Sequence, residues 1–276
     1  MLHEVIYLKD FYPVLGEQDC DPKLTVYVPA HSSDIRSLRD IRPGLLVLPG
    51  GGYYNVSQRE AEPVALNFLQ EGYNVFVLTY SVKPHAFPTA IREVAGAMEL
   101  IHANASLWGT DVSKVAIMGF SAGGHLACHY SNCYDCPEVR AVFPVSKPVQ
   151  AAVLSYPVIT GDPEYRHKAS FVHLSGHKEP TEQDIEKFSL QNHVSEKTPP
   201  TFLWHTRTDQ LVPVMNTLLY AQALAKQGTP FSVHIYPFGL HGLATVDGQT
   251  NGELPAEVSL AHNWMAEAAK WLKFTL

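Results

Sequence analysis

The chain has little cysteine, no block of like charge and no long apolar run, and each shortage excludes a class of protein. Its four cysteines, Cys20, Cys128, Cys133 and Cys136, are too few and too clustered to staple 276 residues with a disulfide framework. Cys133 and Cys136 do have C-x-x-C spacing, but a structural zinc needs two further ligands, and only Cys128 and His129 stand nearby. A redox motif of this type follows a strand and opens a helix, whereas this one follows a predicted helix and runs into Pro137. The expectation is a reduced surface loop that binds no metal. With a formal net charge of −7 and no Lys/Arg tract, the surface suits neither nucleic acid nor anionic membrane. Apolar runs fall far short of the ~20 residues of a membrane span. The opening MLHEVIYLKD has no basic stretch followed by an apolar core and a small-residue cleavage site, so the sequence places the protein in the cytoplasm. A small neutral molecule is the partner these exclusions leave, and association into homo-oligomers stays open.

What is present is an ordinary globular composition, 46% hydrophobic and 17% charged, at a length that fits one α/β domain over residues 1–276. EVIYL and KLTVYVP read as two N-terminal strands. Val/Ile/Leu-rich runs then recur at 44–50, 74–82, 114–120, 151–159, 201–206 and 231–238, the pattern of strands buried on both faces. Helical stripes lie between them. Phe87, Ile91, Val94, Met98 and Ile101 step by four, three, four and three along one face. A helix over 60–71 would carry Pro63 in its first turn and stop at Gly72, and Ala261, Trp264, Ala268 and Trp271 repeat the stepping near the C-terminus. Alternating strand and helix predicts an α/β fold with a mostly parallel sheet. Residues 160–198 break the rhythm: polar, with four histidines, and too long for a simple connection, they read as a small cap of one or two short helices over the strand ends.

Gly119-Phe120-Ser121-Ala122-Gly123 places a serine at a strand-to-helix junction too tight for side chains on either side, the geometry of a nucleophile elbow. Attack by Ser121 on a carbonyl creates an oxyanion. The loop Pro49-Gly50-Gly51-Gly52-Tyr53 can turn the N–H groups of Gly51 and Gly52 toward that charge, beside the N–H of Ala122. No nucleotide-binding glycine pattern is present, so the three glycines are assigned to the anion. A base and an acid must come from beyond the C-terminal ends of other parallel strands. His241 in GLHG and Asp209 in RTDQLVP stand there, giving the order Ser121, Asp209, His241. His205 and His125 are rival bases, the first inside a strand and the second on the helix after the elbow. Asp162 is the rival acid. Tyr53 and Tyr54, beside the oxyanion loop, are expected to wall the substrate site.

PGGGY, GFSAGGHLA, FPTAIREV, RTDQLVP and GLHG, in this order, resemble the α/β-hydrolase superfamily, in its esterase and lipase branch of bacterial acetyl-esterase and carbohydrate-esterase (xylan-esterase-like) type. Pro49 stands where hormone-sensitive-lipase-like enzymes have a histidine before the glycines, and TYSVKPHAFP replaces their fuller DYRLAP-like segment. The resemblance implies the α/β-hydrolase fold and a serine carboxylesterase acting on short-acyl, acetyl-like esters, acetylated sugars among them, without a cofactor. An arylformamidase, a peptidase or a non-enzymatic binding member of the fold is the alternative.

Overall fold

The computed structural model describes residues 1–30 and 41–276. Eight strands form one sheet: β1 (Leu2–Tyr7), β2 (Lys23–Val28), β3 (Arg42–Leu48), β4 (Asn74–Thr79), β5 (Thr110–Phe120), β6 (Ala151–Ser155), β7 (Thr201–Thr206) and β8 (Phe231–Tyr236), in the order β1-β2-β4-β3-β5-β6-β7-β8. β2 pairs antiparallel with β1 and β4, and every later pairing is parallel. The helices of roughly two turns or more are α1 (Glu62–Gln70), α2 (Thr89–Ala103), α3 (Ser121–Cys133), α4 (Lys168–Ser175), α5 (Glu182–Phe188), α6 (Met215–Gln227) and α7 (Trp264–Thr275).

Side chains alternate across a strand, so each central strand feeds two cores. Leu46, Leu48, Phe76, Leu78 and Ile117 join one apolar cluster with Ile91, Val94, Met98 and Ile101 of α2 and Leu126 of α3. Leu45, Val47, Val75, Val77 and Met118 join the other with Val64 and Phe68 of α1 and Trp264, Ala268 and Leu272 of α7. Three layers result, with helices on both faces of the sheet. The α2 stripe read from the sequence is therefore core, and Pro63 sits in the first turn of α1, where its missing N–H costs no helical hydrogen bond.

Two boundaries differ from the sequence expectation. The run 151–159 stays buried, yet β6 ends at Ser155, because Tyr156 takes φ 36° and turns the chain out of the ladder. The 74–82 run likewise leaves the sheet after Thr79. Residues 160–198 carry α4, α5 and a 3-10 turn at Leu190–Asn192. The cysteines depart from the surface-loop expectation: Cys128 is buried inside α3, and Cys133 and Cys136 are half-buried, with burial pushing the Cys133 thiol up to about 11.

Candidate active site

Parallel strands align their C-terminal ends along one edge, and the loops leaving β3, β5, β6, β7 and β8 meet there. Ser121 follows β5 directly with φ 53°, a left-handed conformation rare for a residue with a side chain. The flanking glycines are steric necessities. A Cβ on Gly119 would stand 2.2 Å from the Gly123 carbonyl oxygen, and one on Gly123 would stand 2.2 Å from the Leu48 carbonyl oxygen. Only bare backbone lets the elbow fold this tightly against β3.

Three of the sequence-selected side chains meet at this edge. Ser121 Oγ lies 2.8 Å from His241 Nε2, and His241 Nδ1 lies 2.6 Å from Asp209 Oδ2. Asp209 is buried and its other oxygen accepts the backbone N–H groups of Leu211 and Val212 at 2.9 and 3.0 Å. Burial alone would raise its carboxyl, but hydrogen bonds from His205 and His241, the imidazole charge and the Val212 N–H prevail and hold it well below the ordinary range. The carboxylate is thus fixed as an acceptor, the state needed to keep the proton on Nδ1 of His241 and leave Nε2 free toward Ser121.

The rivals take other places. His205 is fully buried, with Nδ1 2.8 Å from the Thr217 hydroxyl and Nε2 2.9 Å from the Val212 carbonyl and 3.3 Å from Asp209 Oδ2. It supports the carboxylate from behind. His125 is buried between the Tyr53 hydroxyl, 2.9 Å from its Nδ1, and the Phe188 carbonyl, 3.0 Å from its Nε2. Asp162 is exposed and accepts the Glu164 N–H within its own turn.

The glycine loop abuts the elbow: a Cβ on Gly50 would stand 2.9 Å from Ser121 Cβ. Gly51 and Gly52 adopt φ 128° and 66°, and among the described residues neither N–H has a hydrogen-bond partner. The N–H of Ala122 belongs to the first turn of α3, where no intrahelical acceptor is available. Ser121, His241, Gly51 and Gly52 open onto one cleft of about 510 Å³, which His167 and His173 of the 160–198 segment also line. His173 Nδ1 sits 2.8 Å from the Gly52 carbonyl, so this segment holds the glycine loop directly.

At Tyr53 the structure corrects the sequence expectation. Its φ of 55° turns the ring inward, where it is 2% exposed, packs edge-on against Tyr80 and hydrogen-bonds His125. It is a strut beneath the loop rather than a wall of the cleft. Tyr54 does line the cleft and is 63% exposed.

Sequence reasoning missed Glu60. This carboxylate is 3% exposed at the cleft wall, accepts the Gly50 N–H at 2.8 Å through Oε2 and the Tyr156 hydroxyl at 2.7 Å through Oε1. Tyr156 in turn accepts the Ala244 N–H at 3.0 Å and sets its ring 5.1 Å from that of His241. The buried group thus ties the glycine loop to the loop that carries His241. Its only sequence signal was position, an acid shortly after the glycines at the entrance to α1.

Comparison with known proteins gives the family and the fold. The BD-FAE family matches residues 26–224. Endo-1,4-beta-xylanase B of Butyrivibrio fibrisolvens is 36% identical over 255 residues, covering 87% of this chain and 38% of that protein. Acetylxylan esterase of Xylanibacter ruminicola is 36% identical over 202 residues, covering 71% of this chain and 40% of that protein. The chain therefore spans about two fifths of the length of each of these relatives. Among solved structures, an acetyl ester-xyloside bifunctional hydrolase from Caldicellulosiruptor lactoaceticus superimposes with a TM-score of 0.81 at 34% identity, covering 98% of this chain and 96% of that one. The carboxylesterase Cest-2923 from Lactobacillus plantarum gives 0.84 at 26% identity, covering 99% and 98%.

Proposed function

Because this chain belongs to the BD-FAE family, we propose that it is a serine carboxylesterase hydrolysing short-acyl, acetyl-like esters, with acetylated sugars as the substrate class. The observation that carries the reading is the hydrogen-bonded series Ser121–His241–Asp209, at 2.8 and 2.6 Å, opening onto a cleft beside two glycine N–H groups that have no partner among the described residues.

In this mechanism Ser121 Oγ attacks the ester carbonyl while His241 Nε2 takes its proton, and Asp209 holds the imidazole tautomer and stabilises the imidazolium. The N–H groups of Gly51, Gly52 and Ala122 receive the oxyanion. Collapse breaks the bond to the alcohol, which leaves with the proton from His241. Water, deprotonated by the same nitrogen, then attacks the acyl-enzyme and releases the acid and Ser121. No step calls for a cofactor. Residues 160–198 act as the cap, a role supported by His167 and His173 at the cleft wall. A cytoplasmic setting belongs to the same proposal, supported by four free thiols.

The test is labelling with a fluorophosphonate together with ester turnover. Wild type should label once, at Ser121, and Ser121→Ala and His241→Ala should each lose on the order of 10⁴ to 10⁶ in kcat while remaining folded. A folded Ser121→Ala protein that kept a tenth of the activity would refute the mechanism, and faster turnover of matched amides than of esters would move the reading to an amide hydrolase.

A further inference from the structure

The cleft wall beside the reactive serine carries a cation that the mechanism leaves unused. Arg59 lines the cleft and is exposed, and among the described residues its guanidinium forms no ion pair. It touches the Asn251 side-chain oxygen through Nη1 at 3.5 Å, the outer limit of a hydrogen bond. Its Nη2 faces the loop next to His241: a Cβ on Gly242 would stand 3.1 Å away. The adjacent carboxylate, Glu60, forms no direct ion pair with it among the described residues, both Glu60 oxygens being turned to Gly50 and Tyr156. A second cation stands at the rim, where Lys83 Nζ lies 5.7 Å from the ring centroid of Tyr54. In a chain of net charge −7, the described lining of the reactive cleft thus offers one guanidinium outside any ion pair and one carboxylate, Glu60, whose two oxygens are already hydrogen-bonded.

Resting on the esterase reading, we propose that Arg59 is a specificity-determining residue that recognises a carboxylate carried by the ester substrate. A guanidinium presents two parallel N–H donors to the two carboxylate oxygens, and the paired, charge-assisted geometry suits a planar acid far better than a hydroxyl. Partial enclosure by the cleft strengthens the contact relative to open solvent. The favoured substrate is accordingly an ester of an acidic molecule, with the charged group on either the alcohol or the acyl side of the scissile bond. Lys83 adds long-range attraction for the same charge.

Two matched pairs test this and locate the carboxylate. On the alcohol side, 4-(acetoxymethyl)benzoate is compared with 4-(acetoxymethyl)benzamide; on the acyl side, ethyl hemisuccinate is compared with ethyl succinamate. In at least one pair, wild type should favour the carboxylate by on the order of tenfold in kcat/KM, chiefly through KM, and the preference should shrink as salt rises. Arg59→Gln, at an exposed position that folding tolerates, should bring the ratio within about twofold of one, while Arg59→Lys keeps part of it. Turnover of the neutral members with no carboxylate preference in either pair, or a preference that survives Arg59→Gln, overturns the assignment of Arg59 alone. Failure of all four esters together with failure of Ser121 to label removes the esterase reading, and this inference with it.

Discussion

The hydroxyl of Tyr156 donates to Glu60 at 2.7 Å while its oxygen accepts the Ala244 N–H at 3.0 Å. One buried side chain therefore spans the entrance to α1 and the loop beyond His241, and Glu60 continues the link to Gly50. Trp264 anchors the same loop from behind, its indole N–H donating to the Ala244 carbonyl at 2.9 Å and its ring stacking on Trp204 at 4.8 Å. The glycine loop and the loop that carries His241 are thus positioned by one network rather than by separate packing.

Glu60→Gln replaces one of two acceptors by a donor, so either the Gly50 N–H or the Tyr156 hydroxyl loses its partner. Tyr156→Phe strands both Glu60 Oε1 and the Ala244 N–H. An unsatisfied buried group costs about 1–3 kcal/mol, and when that cost falls on the transition-state geometry kcat drops roughly 10- to 100-fold. KM should change by less than about threefold, because the walls of the cleft stay in place. Steady-state kinetics on the two folded variants decide the matter; kcat within twofold of wild type in both would reduce the network to scaffolding.

Asp209 and Asp162 both follow strands of the sheet, and the structure seats only the first against His241. Asp209→Asn should lower kcat on the order of 10⁴ by favouring the wrong imidazole tautomer, and Asp162→Asn should stay within a few-fold of wild type. His205, 3.3 Å from the same Asp209 oxygen, should matter to an intermediate degree. Measuring the three variants on one acetyl ester ranks them, and an Asp162 effect larger than that of Asp209 would contradict the geometry.

Burial lowers the His125 imidazole to about 4, the hydrogen bond to the Phe188 carbonyl opposing this only in part. The unfolded chain takes up a proton near pH 6.5 that the folded chain refuses, so stability falls as pH drops from about 6.5 toward 4 and is fully present above that window. The full swing from His125 is about 3 kcal/mol. His129, also lowered by burial, acts in the same direction. Glu93 acts against it: burial raises its carboxyl to about 7, so its contribution weakens as pH rises from about 4.5 to 7. Urea unfolding of wild type and His125→Gln between pH 7.5 and 4.5 isolates the His125 part as a difference in slope of up to ~1.4 kcal/mol per pH unit. Parallel profiles would show that His125 is not held neutral.

Much of this was legible in the sequence, because periodicity and glycine punctuation report local constraints. The eight strand runs, the α2 stripe and the order Ser121, Asp209, His241 follow from patterns a few residues long. What escaped depends on backbone turns and on distance. The inward turn of Tyr53 hangs on a positive φ that a tyrosine does not announce, and Tyr54, its neighbour, faces the other way. Glu60 sits in the polar run QREAE, which reads as a solvated helix entrance, and the Gly50 N–H together with the Tyr156 hydroxyl, 96 residues on, satisfies it in its buried place. His205 was visible as a polar residue in an apolar strand, but its tie to Asp209 needs the turn at 207–212 to bring the two together.

The walls of the cleft should limit acyl length. Tyr54, Ala169 and Leu211 are its larger apolar side chains, and they share the lining with Asn55, Ser57, Arg59, His167 and His173. Each methylene that finds an apolar berth gains up to ~0.8 kcal/mol, about fourfold in kcat/KM, and each left in water gains nothing. Activity should therefore peak between acetyl and butyryl and stay level or fall beyond, as longer chains leave the cleft or crowd the histidines of the 160–198 segment. The measurement keeps one alcohol constant and lengthens the acyl group from two carbons to twelve, recording kcat/KM below the solubility limit of each ester. A maximum at eight carbons or beyond would require an extended apolar channel and would refute the short-acyl assignment.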